Sequence, residues 1–218
     1  MIICAQKTAG DPQAGLFDQM FRLRAAAFAE RRKWNVKVAN GREFDRFDDL
    51  DPLYIMSVSP SGELLASLRI LPTTGPHMLA DVFSDTMGGL PLIRHPLIWE
   101  SSRFCVNTKA TTAHGPNGIN TVTAELLVGL FETALNAAIM NVVSVYDLYL
   151  ERILQRAGCQ FERIGGPNSY DGLRTVAGLF EVTETAIKAI RASGGIDGDV
   201  FRTTQPRGSD ILPVAGAA

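Results

Sequence analysis

The sequence predicts an α/β (α+β) fold, a mixed sheet covered by helices on both faces. Three observations predict it. Short strand-like apolar runs alternate with segments of helical periodicity over most of the 218 residues. Residues 53–59 and 64–71 are two such runs separated by Pro60, Ser61, Gly62 and Glu63, which is hairpin chemistry. A strongly apolar helix at about 121–140 leads into the apolar run 141–146, and an amphipathic helix at 148–157 follows, closed by Gly158.

The elements follow in order. Residues 16–32 read as a helix with Phe17, Met20, Phe21, Arg24, Phe28 and Arg31 on one face. Arg24 thus stands among phenylalanines. Either its stem covers apolar surface while the guanidinium reaches water, or it has a buried acidic partner; the following loop supplies candidates, and the paired reading is favoured. That loop, 34–51, packs Glu43, Asp45, Asp48, Asp49 and Asp51 between Trp34, Phe44 and Phe47. A solvated acidic loop would have this composition, and so would the wall of a site for a small cation. Asp49 and Asp51 are assigned to solvent.

In the strand 64–71 a period of two places Arg69 in mid-strand, opposite in direction to Leu68 and Ile70. If its face is covered, it needs a carboxylate. Residues 72–96 read as a long structured connection around a short helix, 78–84. The strand 97–106 carries Glu100 and Arg103 at an odd spacing, so a regular strand sends them to opposite faces; a bulge is required if both are to enter one cleft. Residues 108–120 are polar and turn-rich. After the helix at 148–157 comes a short strand, 160–164, broken by Gly165, Gly166 and Pro167, then a strand at 173–182 and a helix at 183–192. The expectation is a single domain, 1–218, with a loosely ordered tail from about 195.

Composition narrows the function. With 21 basic and 23 acidic residues the chain has a formal charge of -2, which gives no reason to expect nucleic acid or an anionic membrane as partner. Three cysteines without a CxxC pair and three histidines point to no disulfide framework and no metal site, and suggest a reducing cytoplasm. The start, MIICAQKTAGDP, has no basic n-region or long apolar stretch, so a soluble, unprocessed protein is expected.

With these residues in place, the chain resembles the LuxI-type acyl-homoserine lactone synthases, the autoinducer synthases of bacterial quorum sensing. The likeness rests on Arg24 and Phe28 in FRLRAAAF, Trp34, then Glu43, Asp45 and Asp48 in GREFDRFDDLD. It continues with Arg69 in SLRIL, Phe83 in DVFSD, Glu100 and Arg103 in WESSRF, and ERILQRAG at 151–158. It implies a GNAT-related, acyltransferase-like fold. The region matching the GNAT phosphate loop, TAHGPNG at 112–118, departs from the pattern Q/R-x-x-G-x-G/A.

The resemblance also implies a reaction. The amine of S-adenosylmethionine, a co-substrate, is acylated by an acyl thioester of acyl carrier protein or coenzyme A; lactonisation then releases methylthioadenosine. No true cofactor is implied. Phe28, Trp34, Asp45, Arg103 and Arg31 are the expected S-adenosylmethionine contacts. Arg24, Asp48, Arg69 and Glu43 are ion-pair partners, divided between scaffold and ligand contact. Glu100 is the candidate base, with a backbone carbonyl acting through water as the other possibility. Met78, Leu97, Ile98, Met140, Val142 and Leu150 are candidates for an acyl slot, and Ser144 for a hydrogen bond to a 3-oxo group; each is also an ordinary packing residue. Phe83 is a core or cleft-wall residue. Arg152 and Arg156, one helical turn apart, suit docking of an acidic carrier, or are simply solvated. The alternatives are a conventional GNAT-type N-acyltransferase on another amine and a non-catalytic regulator that binds S-adenosylmethionine or acyl chains.

Overall fold

A computed structural model describes residues 1–7 and 13–201. The elements are β1 (Ile2–Gln6), α1 (Ala14–Arg24), which continues as a π-helical segment (Ala25–Arg31), a small hairpin of β2 (Val38–Ala39) and β3 (Arg42–Glu43), and a 3-10 turn (Arg46–Asp49). Then follow β4 (Leu53–Val58), β5 (Leu64–Pro72), α2 (Met78–Asp81), a second 3-10 turn (Ser84–Met87) and β6 (Ile98–Val106). The chain continues with α3 (Thr121–Asn136), β7 (Asn141–Asp147), α4 (Leu148–Arg156), β8 (Phe161–Tyr170), β9 (Leu173–Glu181) and α5 (Glu184–Gly194).

Seven strands form one sheet in the order β1-β4-β5-β6-β7-β9-β8. Every neighbouring pair is antiparallel except β6 and β7, whose connection carries α3 over the sheet, as a parallel crossover requires. Alternation along β4 sorts the layers. Ile55 joins Leu68, Leu126, Leu130, Phe131, Ile187 and Ile190 in the main core under α3 and α5. Tyr54, Met56 and Val58 point the other way, onto Phe17, Met20 and Phe21 of α1. The predicted mixed sheet with helices on both faces is the fold observed.

Two features of β6 create the site. Its pairing with β7 runs only from Ile98↔Asn141 to Ser101↔Ser144, after which the strands part. Against β5, Ser67 faces Cys105 and Arg69 faces Ser102, so two steps on β5 span three on β6. The extra residue is held by Arg103, whose φ is 55, in the left-handed region. The bulge demanded by the Glu100–Arg103 spacing is therefore present, and both side chains line the same gap between β6 and β7.

Several elements differ from expectation. β1 was not anticipated: its five residues carry only one fully buried side chain, Ile2, so the pattern is faint without its partner β4. The helix expected to reach 140 ends at Asn136, where Ala138 turns left-handed (φ 56) and Ile139 N–H returns to Ala134 O at 2.9 Å. The strand expected to break at Gly165 continues to Tyr170, because three residues of β8 between Ile164 and Asn168 bulge opposite one of β9. Gly165 (φ 67) has no room for a side chain against Thr86 and Met87. Of the tail expected from 195, Val200 is buried and accepts a hydrogen bond from Ile2 N at 2.7 Å; residues 202–218 lie outside the described residues.

Ala138 is exposed and left-handed, so a Cβ there carries strain without packing in return. Ala138→Gly is expected to raise the unfolding free energy by about 0.5–1 kcal/mol, read from urea denaturation.

Candidate active site

The acidic loop folds around itself before it meets any arginine. Asp45 Oδ1 accepts the Phe47 N–H and Asp48 Oδ2 accepts the Asp45 N–H, both at 2.9 Å, a capping box that starts the 3-10 turn. The two carboxylates are thus fixed side by side. Three guanidinium groups from three different elements converge on them and on Glu43 of β3.

Arg24, from α1, donates Nε to Glu43 Oε2 at 2.5 Å and both terminal nitrogens to Asp48 at 2.7 and 2.8 Å. Arg69, from β5, holds Asp45 through both terminal nitrogens at 2.5 and 3.0 Å and reaches Asp48 Oδ1 at 2.8 Å. Arg103 donates to Glu43 Oε1 at 2.9 Å from Nη2, which also lies 2.7 Å from Asp45 Oδ2. Tyr54 adds its hydroxyl to Asp48 at 2.7 Å. Burial pushes the Asp48 carboxyl up, but Arg24 and Arg69 outweigh it and hold Asp48 below the usual carboxylate range. The three cations and three anions balance, so the network is buried without net charge. Bidentate pairing of this kind is what makes such burial tolerable.

Exposure separates scaffold from contact. Arg24, Glu43 and Arg69 are buried and Asp48 nearly so, whereas the Asp45 side chain is 17% exposed and Arg103 8%. Over Arg103 stands a stacked aromatic pair, Phe28 and Trp34, with centroids 5.3 Å apart and planes at 26°. The Arg103 guanidinium lies 5.3 Å from the Phe28 ring centre. Arg69 Nη2 and Arg103 Nη1 both aim at the Met78 thioether, at 3.2 and 3.4 Å. Sulfur is a weak acceptor, so Arg103 Nη1 keeps most of its capacity for an anion, whereas Arg69 Nη2 also donates to Asp45 Oδ2 at 3.0 Å.

Glu100 is buried and accepts the N–H groups of Met78 and Leu79 at 2.8 and 2.5 Å. It thereby anchors the start of α2 and sets the place of Met78. Burial pushes its carboxyl up to about 7, against the pull of the two N–H donors and of Arg69 and Arg103.

Where β6 and β7 part, a cavity of about 40 Å³ is lined by Phe28, Trp34, Met78, Glu100, Arg103 and Ser144, among others. Beside it opens a cleft of about 860 Å³ that includes Arg31, Arg32, Asn120, Asp147, Arg156 and Arg174. Arg32, Phe104 and Leu150 border both and form the partition.

Not every expected residue is in place. Arg31 is exposed on the large cleft, donating to Thr108 Oγ1 at 3.2 Å; the arginine set against both rings of the aromatic pair is Arg32, while Arg103 meets Phe28 alone. Met140 is 59% exposed, its backbone engaged with Leu97 O and Val182 N, and Leu97 is exposed too, so neither lines an acyl slot. Val142 points into the core under α3, away from the gap. Ile98 packs with Leu79 and Val143 on the opposite face, and Phe83 lines the small cavity. Ser144 also lines it, donating to Ser101 O at 2.8 Å. Arg156 lines the large cleft and binds Asn117 O and Gly118 O, both at 3.1 Å, while Arg152 is exposed outside it. Tyr54, Arg32, Asp147 and Arg174 were not foreseen. Tyr54 had no signal beyond its strand parity with Met56.

The profile of the family described as autoinducer synthase matches residues 12–190. The chain belongs to the autoinducer synthase family. Its relatives include the "Probable acyl-homoserine-lactone synthase" of Sinorhizobium fredii (strain NBRC 101917 / NGR234), 37% identical over 190 residues, covering 87% of this chain and 91% of that one. Among solved autoinducer synthases, the fold matches the acyl-homoserine lactone synthase LasI at a TM-score of 0.75 and 29% identity, over 91% of this chain and 98% of LasI. It matches MesI, described as a CoA-dependent acyl-homoserine lactone synthase, at 0.78 and 25% identity, over 92% and 98%. The likeness extends, for the fold alone, to a structure described as an N-acetyltransferase from Lactobacillus plantarum, at a TM-score of 0.55 and 20% identity over 84% and 98% of the two chains. The family is one of acyltransferases, and the chain is an enzyme of that class. Among the described residues no cluster suited to a metal ion occurs, and no helix is long and apolar enough to cross a membrane.

Two outcomes follow from the charges. Asp48→Ala leaves Arg24 and Arg69 short of a shared buried partner and is expected to lower the unfolding free energy by about 3–5 kcal/mol, measured in urea. Glu100 has a folded pKa of about 7 against an ordinary 4.5, so its contribution to stability is complete below 4.5 and is lost as pH rises through 7. Glu100→Gln should flatten that limb of the urea-midpoint profile.

Proposed function

We propose that this chain acylates the amine of S-adenosylmethionine with an acyl thioester and then lactonises it, making an acyl-homoserine lactone. The observation that carries the reading is the exposed corner of an otherwise closed network. Arg103 lines the small cavity beneath the Phe28–Trp34 stack and Asp45, 2.7 Å from it, is the most exposed carboxylate of the network, while Arg24, Glu43, Asp48 and Arg69 serve to hold them. A sulfonium has no N–H to donate and is held by charge and by ring faces, which Asp45, Phe28 and Trp34 supply. The ligand carboxylate takes the donor of Arg103 now turned to the Met78 sulfur.

The acyl donor enters along the large cleft, whose lining holds Arg31, Arg32, Arg156 and Arg174 for its anionic arm, and its thioester meets the amine at the parting of β6 and β7. The amine, with an ordinary pKa of about 8, loses its proton to a weak base. Glu100, with a pKa near 7 and a place on the cavity wall, is that base; each oxygen keeps a lone pair beside its backbone bond. The nitrogen attacks the thioester carbonyl, a C–N bond forms, and the carrier leaves as its thiol with the proton. The carboxylate then attacks the γ-carbon, the C–S bond breaks and methylthioadenosine departs. Ser144 meets an oxygen on the acyl chain, and Met78 and Leu150, on the same cavity wall, bound its path. Because MesI is described as CoA-dependent, acyl-CoA is the first donor to test, with acyl carrier protein docking over Arg152 and Arg156 as the second. A count of only three cysteines with no CxxC pair suits a cytoplasmic setting.

Incubation with S-adenosylmethionine and a panel of acyl-CoA and acyl-carrier-protein thioesters should release methylthioadenosine and a lactone detectable by mass spectrometry. No methylthioadenosine with any thioester overturns the reading, and acylation without it assigns an ordinary N-acyltransferase. Asp45→Asn and Arg103→Ala are each expected to lower turnover by about 10²–10³-fold.

A further inference from the structure

Behind α1 the chain makes an unusual approach to the aromatic pair. The π-helical segment closes with Arg32 N–H on Ala27 O at 3.3 Å, Lys33 turns left-handed (φ 58), and Trp34 N–H returns to Phe28 O at 2.9 Å. This doubling back stacks Trp34 on Phe28 and leaves Arg32 between them in sequence, with its guanidinium carbon 5.8 Å from both ring centres.

Arg32 differs from the other arginines of the site. Arg24, Arg69 and Arg103 each donate at least two hydrogen bonds to carboxylates. Among the described residues, the Arg32 guanidinium donates none. Its nearest carboxylate oxygen, Asp147 Oδ2, is 3.7 Å away, and the other oxygen of Asp147 is already taken by the Leu150 N–H at 2.7 Å. The side chain is 19% exposed, so it is neither solvated nor locked. It also borders both the small cavity and the large cleft. The cation resting on both rings is therefore the least committed charge around the small cavity, and it stands at the partition.

An aromatic face attracts any cation through its quadrupole, and two unit charges cannot share so small a space without repulsion. We infer that Arg32 is a built-in placeholder cation, occupying the Phe28–Trp34 faces until the sulfonium of S-adenosylmethionine displaces it toward Asp147 and the large cleft. This rests on the reading of the aromatic pair as the sulfonium seat. Displacement moves a positive charge into a cleft that already carries Arg31, Arg156 and Arg174. Filling one cavity then raises the attraction of the other for an anionic thioester, and linkage makes the effect reciprocal.

Calorimetric titration of S-adenosylmethionine into the full chain without thioester tests this. Arg32→Met keeps the apolar stem and removes the charge, and should bind about 3- to 30-fold more tightly than the parent, the range of one cation–ring contact. Arg32→Lys keeps the charge and should stay within about twofold of the parent. Equal or weaker binding by Arg32→Met, or equal tightening in both variants, overturns the placeholder while leaving the seat intact. A parent chain that binds no S-adenosylmethionine overturns the seat, and the placeholder with it.

Discussion

The shared use of three carboxylates by three arginines is the interaction on which the rest of this structure depends. Asp48 alone receives Arg24, Arg69 and Tyr54, and so ties α1, β5 and β4 to one turn. Glu43 ties α1 to β6 in the same way. Each charge, taken singly, would be costly in this burial; together they are satisfied, and the loss of one member exposes the others. The acidic turn has its own capping box but no apolar anchor larger than Phe47. Its position over the sheet is electrostatic.

The second organising feature is the short parallel seam between β6 and β7. Four residue pairs hold the two halves of the sheet together, and beyond Ser101 and Ser144 the strands separate. The ion network lies on the β6 side of the opening and the aromatic pair closes over it, so the site is built from strands that stop cooperating. Antiparallel pairs on either side keep the geometry rigid. Placing the polar groups of Ser144 and Ser101 in mutual contact at the last rung leaves no backbone stretched across the gap.

Much of this was legible in the sequence, and the misses share a cause. Arg24 among phenylalanines, Arg69 in mid-strand and the odd spacing of Glu100 and Arg103 each posed a local contradiction that only burial with a partner, or a bulge, could resolve. Charges buried against their nature advertise themselves. Apolar residues do not: Val142 and Met140 were equally plausible liners, and only the actual register sends one into the core and the other to the surface. β1 was hidden because its order comes from β4, and Gly165 suggested an end to β8 because a glycine at a close approach reads the same as one at a break. Arg32 was passed over for Arg31, since periodicity extended the α-helix through a segment that widens to a π-helix and rotates the side chains.

Arg103 answers to two demands that conflict. Its backbone sits where glycine or asparagine would be at ease, and its side chain must present a planar cationic fork to Glu43 and Asp45. Drift toward a relaxed backbone at this position erases the charge, and any residue that keeps a charge keeps the strain. The position is thus trapped: no single substitution improves the fold there without dismantling what the fold is for.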